Sequence, residues 1–237
     1  MKLSKRFLFF CLFFIGVFCL LGQWQVHRYH FKQTLLMNYQ ERAVAKPQPL
    51  KVMLTTQKDL QFQRVSVLGH YLNDRTMLVQ NRFYKDQPGF EVLTPLQIPG
   101  QKSLLLIDRG WIAKPRDADL PVIARAIDRQ QVIGNIKLLN EYQFILGRNI
   151  LQLDQKPLVM QKIDINEISA LSRDAFYPFI LRLDAKAENG FVRDWTITAV
   201  NPERHLGYAV QWFLMAIALA TAYFCFYFSE RARHASA

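Results

Sequence analysis

Two long apolar runs stand near the ends of the chain, at residues 7–26 and 206–228. Neither run contains a charged side chain, and the apolar face of the first run continues through Trp24 and Val26. A helix that rises about 1.5 Å per residue needs roughly 20 residues to cross the hydrocarbon core of a bilayer. Both runs are therefore predicted to be transmembrane helices.

Between the two runs the pattern changes to short alternating segments that end at turn-forming residues. These segments predict strands at residues 63–67, 76–83, 90–98, 103–112, 131–139, 158–163, 179–183 and 195–200. A small helix is predicted at residues 164–171, because Asp164 has the position of an N-cap and Glu167 follows three residues later. We therefore predict two transmembrane α-helices that flank one antiparallel β-rich domain, a barrel or sandwich with a small helix, at residues 50–200.

The basic residues at the two ends of the chain indicate which side of the membrane the domain occupies. They are Lys2, Lys5, Arg6, Arg231 and Arg233. Because cations beside membrane spans stay on the cytoplasmic side, residues 1–6 and 229–237 are expected in the cytoplasm. Residues 27–49 would then leave the membrane as a helix and linker, and residues 201–205 would return at the outer interface. The first run could be a signal peptide, but no small-x-small cleavage pattern follows it, so we expect it to be retained as an anchor. Only six residues precede it, too few for a cleavable organelle-targeting sequence, so we expect a bacterial inner-membrane protein with its domain in the periplasm.

The charge and the residue inventory exclude several classes of function. The net charge of +11 comes from basic residues at the chain ends and from others scattered between them, without a nucleic-acid motif. Anionic lipid or an acidic ligand is therefore a better partner than nucleic acid. All three cysteines lie in the apolar runs, and His70 is the only histidine between residues 31 and 204. The domain therefore cannot form a Cys/His metal site. Common hydrolase, metalloprotease, phosphate-loop and dinucleotide motifs are also absent, so we expect that the protein is not an enzyme.

The start of the second run carries the most informative group of side chains. His205, Tyr208 and Trp212 are spaced i, i+3 and i+7, which places them on one face of a helix. A neutral imidazole at a membrane boundary can ligate haem iron while aromatic rings cover the porphyrin. The residues taken alone favour a simpler interpretation, an interfacial histidine beside an aromatic belt.

Motifs in three parts of the chain carry a family resemblance. They are Leu21-Gly22-x-Trp24-Gln25-x-x-Arg28, Asn81-Arg82, Gly89-Phe90-x-Val92-x-Thr94-Pro95-Leu96, Asp108-Arg109-Gly110-Trp111 and His205-Leu206-x-Tyr208-Ala209-x-x-Trp212. In this order and spacing they resemble the Surfeit-locus family of cytochrome oxidase assembly proteins. The sequence departs from the family pattern at Phe31, where Trp is usual, and at Arg204, where Asn is frequent.

The resemblance implies an assembly factor that binds haem a and assists its insertion into the large catalytic subunit of cytochrome c oxidase. It favours His205 as the ligand of the haem iron, with Tyr208 and Trp212 packing on the ring. Further partners would be membrane lipid and the enzyme that synthesises haem a. Two alternatives stay open, a haem-free scaffold for the nascent oxidase subunit and an unrelated membrane-anchored module that binds a periplasmic ligand.

Other candidate residues have a functional and a structural interpretation. Trp24 and Arg28 could contact haem, with Arg28 at a propionate, or could anchor the first helix at the interface. His27 and His30 could offer a second axial ligand, although surface positions are the simpler expectation. In the domain, the motif residues that end β runs are expected to serve mainly the fold, while two arginines could instead meet lipid or a propionate. These residues are Arg82, Thr94, Pro95, Arg109, Gly110 and Trp111.

Overall fold

The computed structural model describes residues 5–117, 120–127, 129–139, 156–195 and 201–235. The described residues form the helices α1 (Lys5–Val44), α2 (Leu50–Thr56), α3 (Ile165–Ser172) and α4 (Pro202–Ala235), with a 3₁₀ turn at Asn73–Arg75. The strands are β1 (Gln48–Pro49), β2 (Arg64–Tyr71), β3 (Met77–Tyr84), β4 (Gln87–Gln97), β5 (Leu104–Ala113), β6 (Arg129–Leu138), β7 (Leu158–Met160) and β8 (Phe176–Leu183). The chain divides into a helical unit formed by its two ends and a β-domain, residues 40–195.

The helical unit confirms the two predicted apolar helices. Lys5–Val44 and Pro202–Ser229 are both long and apolar enough to cross a membrane. Helix α1 runs without a break through the boundary predicted at residue 26, since the first proline after the apolar run is Pro47. Helix α4 begins at Pro202, a residue suited to the first turn of a helix. Residues 202–205, predicted as an interfacial lead-in, are therefore part of the helix.

Small side chains let the two long helices approach each other closely. Cys11 and Gly22 of α1 are buried, as are Ala209 and Ala216 of α4. The ring of Phe213 lies over Gly22 so closely that a Cβ atom there would be 2.8 Å from it. Glycine at position 22 is thus part of the packing of the two helices, although neither apolar run has a Gly-x-x-x-Gly pattern.

The β-domain is built around a closed ring of five strands. Strand β2 pairs with β6, β6 with β8, β8 with β5, β5 with β4, and the end of β4 pairs back with β2. Val65, Leu96, Ile107, Ile136 and Leu181, one residue from each ring strand, belong to one buried apolar cluster. That cluster is therefore the interior of a barrel, which confirms one of the two predicted architectures.

The sheet is mixed, so the prediction of an antiparallel sheet was wrong for three strand pairs. Strand β5 pairs in parallel with β8, β3 with β7 and β1 with β2. The alternation of apolar residues that predicts a strand is the same in either direction, so it does not carry this information. Parallel neighbours need a long connection between them, and the β5–β8 connection includes β6, β7 and α3.

Two helices differ in how well the sequence predicted them. Helix α3 is confirmed, with the side chain of Asp164 accepting hydrogen bonds from the backbone N–H groups of Asn166 and Glu167. Helix α2 was not predicted, because a helix of seven residues is too short to establish a helical period. Its buried residues Leu50 and Met53 join the apolar interior of the barrel. The predicted strand 195–200 falls mostly outside the described residues, and Trp195 itself is not in a strand.

Candidate functional site

His205 is joined to the opposite helix of the helical unit by a hydrogen bond. Its Nδ1 atom lies 2.7 Å from the side-chain oxygen Oε1 of Gln25. Because a carboxamide oxygen only accepts, the ring N–H of this pair is at Nδ1. The predicted ligand thus has a defined partner on α1, a residue that the motif analysis included but did not assign to the site.

The second ring nitrogen of His205, Nε2, is buried and makes no hydrogen bond to any described residue. With the proton on Nδ1, Nε2 carries a lone pair, which is the form of imidazole that binds a metal. A buried polar atom without a partner is uncommon in folded proteins, and one explanation is a ligand that binds it. The donor set at this position therefore fits one axial bond to haem iron.

The two aromatic residues predicted beside His205 have different environments. The Trp212 ring packs against Phe18 of α1, with 5.8 Å between the ring centroids. Tyr208 is half exposed. Tyr208 is therefore accessible from outside the helix pair, whereas Trp212 is partly used in packing the two helices.

Trp24 and Arg28 form a pair one turn apart on α1. The Arg28 guanidinium carbon lies 5.6 Å from the centroid of the Trp24 ring, a cation–π arrangement. Both side chains are exposed, as are His27 and His30. The contact keeps the cation of Arg28 beside an aromatic surface, where it could meet an anionic group of a ligand.

No group of three or more His, Cys, Asp or Glu side chains capable of holding a bare metal ion occurs in the part of the chain that the structure describes. A bare ion such as zinc needs several protein ligands, whereas haem brings four of its own. The single imidazole at position 205 is therefore more compatible with haem than with an isolated ion.

The two domain arginines predicted as candidates for lipid or propionate contact both have hydrogen-bond partners within the β-domain. Arg109 is 1% exposed and donates hydrogen bonds of 2.8 Å to the backbone oxygens of Asn189 and Ala124. Its guanidinium also lies over the Phe191 ring, 4.9 Å from the centroid. Arg82 donates to Glu91 at 2.9 Å. Both arginines thus have partners within the domain.

The other domain motif residues also serve the fold. The indole N–H of Trp111 donates to the backbone oxygen of Arg82, and the Trp111 backbone forms a two-way bridge with Val192. Gly110, with φ +111°, lies directly before that bridge. Thr94 is buried and its hydroxyl lies 3.1 Å from that of Thr76. These contacts agree with the structural role expected for the motif.

A buried group of charges lies on β4, β5, β6 and β8. Asp108 is completely buried, and its Oδ2 lies 3.8 Å from Nε of Arg182. Burial and the neighbouring Glu91 raise the pKa of Asp108 to about 8, against the effect of Arg182 and Lys137. Burial also opposes ionisation of Glu91, but the charges of Arg82 and Lys137 hold its pKa below the ordinary value. Asp108 is therefore the member of the group that keeps its proton.

We expect Asp108→Asn to reduce the loss of domain stability that occurs when the pH rises from 6 to 8. In wild-type protein the native state binds the Asp108 proton and the unfolded state releases it near pH 4, so stability falls as pH rises to about 8. At about 1.4 kcal/mol per pH unit for one proton, the loss from pH 6 to pH 8 is about 1–3 kcal/mol.

The measurement is chemical unfolding of the full-length protein in detergent at pH 6 and pH 8. The variant should lose less stability than the wild type over this interval. An equal pH dependence in the two proteins would contradict the expectation. The exposed residue Asp117 provides the control substitution, Asp117→Asn, which should behave like the wild type.

Comparison with known proteins adds a family match. The model of the SURF1 family matches residues 12–217, a range that contains both Gln25 and His205. A SURF1-like protein of Monosiga brevicollis is 26% identical over 215 residues, which cover 84% of this chain and 80% of that protein. A SURF1-like protein of Rickettsia bellii is 25% identical over 217 residues, covering 87% and 85%. Cytochrome oxidase assembly protein SHY1 of Saccharomyces cerevisiae is 30% identical over 100 residues, covering 41% and 26%.

Proposed function

Because the chain belongs to the SURF1 family, we propose that it is a membrane-anchored, non-enzymatic assembly factor for haem-copper cytochrome c oxidase. The family match confirms the resemblance carried by the motifs, and a relative named for cytochrome oxidase assembly supports the process. In the proposal the protein binds haem a and assists its insertion into the large catalytic subunit. The two apolar helices lie in a bacterial inner membrane and the β-domain in the periplasm.

The single observation that supports haem binding best is the free Nε2 atom of His205. Haem, when bound, supplies an iron that accepts an imidazole nitrogen as an axial ligand. His205 would hold the iron through Nε2, and the exposed Tyr208 would contact the ring. Trp212 would contribute the part of its ring that Phe18 leaves open. Arg28, supported by Trp24, would pair with a propionate.

The β-domain would contact the oxidase subunit, while the helical unit would also contact lipid and could meet the enzyme that makes haem a. Two arginines of the β-domain are already engaged within it: Arg82 pairs with Glu91, and Arg109 donates to a backbone oxygen. We therefore assign cofactor contact to the helical unit alone, and protein contact to the domain.

The test is the optical spectrum of the full-length protein, purified in detergent from cells that synthesise haem a. The wild type should carry a haem a spectrum, and His205→Ala should lose most of it, since an axial ligand is removed. His70→Ala, a substitution of the same kind in β2, should retain the spectrum. Oxidase maturation should be lower in cells whose only SURF1-family protein is the His205→Ala variant than in cells whose only one is the wild type.

A colourless wild-type protein that co-purifies with the oxidase subunit would support the haem-free scaffold instead. Unchanged oxidase activity when the protein is absent would support the unrelated ligand-binding module. A haem spectrum that survives in His205→Ala would show that another residue is the ligand.

A further inference from the structure

We infer that Gln25 is the positioning residue that prepares His205 to ligate haem iron. The inference rests on the proposed function and adds a residue whose side chain need not touch the cofactor. It starts from one contact, the 2.7 Å hydrogen bond between Gln25 Oε1 and His205 Nδ1. The two residues are 180 positions apart in the chain, so only the pairing of α1 with α4 brings them together.

The hydrogen bond determines which nitrogen of His205 is available. In an isolated neutral imidazole the proton can be on either nitrogen, and only the unprotonated nitrogen binds a metal. Gln25 Oε1 accepts a hydrogen bond from Nδ1–H, which leaves the lone pair on the buried Nε2, an atom without a hydrogen-bond partner among the described residues. The same bond fixes the rotation of the ring about its Cβ–Cγ axis, since Nδ1 must face α1.

A neutral acceptor is suited to this position. Gln25 and His205 both belong to helices that can cross a membrane, where an unpaired carboxylate is costly. A carboxamide orients the imidazole without adding a charge. It also polarises the Nδ1–H bond less than a carboxylate does, so it increases the basicity of Nε2 moderately.

The packing around Gln25 holds it in place for this role. Gly22 is one turn earlier on α1 and receives the ring of Phe213, and Phe18 is one turn before that and contacts Trp212. These contacts set the rotation of α1 against α4 along the turns next to Gln25. The hydrogen bond between Gln25 and His205 therefore continues the line of contacts between α1 and α4 that Phe18–Trp212 and Gly22–Phe213 form.

The first measurement needs no haem. Full-length protein labelled with ¹⁵N-histidine, in detergent micelles, reports the tautomer of each ring by NMR, and His205→Ala identifies the signals of His205. We expect the Nδ1–H tautomer in the wild type and in Gln25→Glu, which retains an acceptor. Gln25→Leu should convert most of the population to the commoner Nε2–H form. The wild type in the Nε2–H form would overturn the inference.

The second measurement uses the haem-loaded protein. Loss of an outer-shell partner typically costs 10–100-fold in metal affinity, so Gln25→Leu should release haem to apomyoglobin about 10–100-fold faster than the wild type. The reduction potential of the haem iron in Gln25→Leu should rise, because a weaker imidazole donor stabilises ferric iron less. Gln25→Glu should keep the haem and lower the potential. A purely structural role would not produce opposite shifts of potential.

The matched control is Gln23→Leu, the same substitution at an exposed position of α1. If the wild type carries haem and Gln25→Leu matches Gln23→Leu in release rate and potential, the inference is overturned and the proposed function survives. If the wild type carries no haem, both the proposed function and the positioning role fail. The tautomer measurement then still shows whether the contact itself exists.

Discussion

Replacing Arg109 by alanine is expected to lower the free energy of unfolding of the β-domain by about 3–5 kcal/mol, the range for large buried side chains cut to alanine. The side chain is buried and connects β5 to two segments through the backbone oxygens of Asn189 and Ala124. Its removal leaves a cavity and two carbonyl groups without their donor. Chemical unfolding of the full-length protein in detergent, followed by tryptophan fluorescence, measures the change.

Arg109→Met separates the volume of the side chain from its hydrogen bonds. Methionine fills much of the same space and removes a buried positive charge that has no carboxylate partner among the described residues. Because burying a charge is costly, part of the loss is offset and we expect about 1–3 kcal/mol. The exposed Arg116 gives the control, Arg116→Ala, with a change within about 0.5 kcal/mol. Equal effects of Arg116→Ala and Arg109→Ala would contradict the proposed role.

Gly110→Ala is expected to cost about 2–6 kcal/mol, because two separate penalties add. The backbone there has φ +111°, which an L-residue adopts only at a cost of about 1–3 kcal/mol. A Cβ atom would also lie 2.5 Å from the backbone oxygen of Val192, against the bridge between Trp111 and Val192. The bridge must therefore open or β5 must shift, and overpacking of this kind typically costs about 1–3 kcal/mol.

Gly100→Ala is the matched control for this prediction. Gly100 also has a positive φ, +75°, but apart from its chain neighbours no described residue lies within 4 Å of an added Cβ atom. Its substitution should cost only the backbone strain, about 1 kcal/mol. The same unfolding measurement should show that Gly110→Ala is destabilised more than Gly100→Ala, because only position 110 adds the contact with Val192. Equal destabilisation of the two variants would contradict the expected cost of that contact.

Local patterns predicted the parts of this fold that depend on local physics. The apolar runs gave both long helices, and the cap at Asp164 gave α3, because each signal lies within the element itself. Seven of the eight predicted strands lie near the observed positions, while the one at 195–200 falls mostly outside the described residues. The parallel pairing of β5 with β8 was missed, because partner and direction are set by the route of the chain and not by either strand.

In the candidate site, too, local patterns identified one residue and missed another. His205 was identified because helical spacing placed it beside Tyr208 and Trp212, and because the family resemblance pointed to it. Gln25 belongs to the motif at the end of the first apolar run, but the sequence alone indicates no role for it. Its role depends on a hydrogen bond to a residue 180 positions away, which no local pattern contains. A polar, uncharged residue inside an apolar span was the one signal that could have drawn attention to it.

The closed ring of strands has a consequence for how this protein is made. The ring needs β8, whose last residue Leu183 comes shortly before α4, and it pairs β8 with both β5 and β6. While the chain is being synthesised, β5 and β6 therefore each lack a partner on one edge until β8, near the end of the domain, has been delivered. Contacts between distant parts of a chain form slowly. The protein is thus most vulnerable to proteolysis and aggregation before the ring closes. Destabilising substitutions should therefore lower the amount of protein in the membrane before they change the properties of the folded protein.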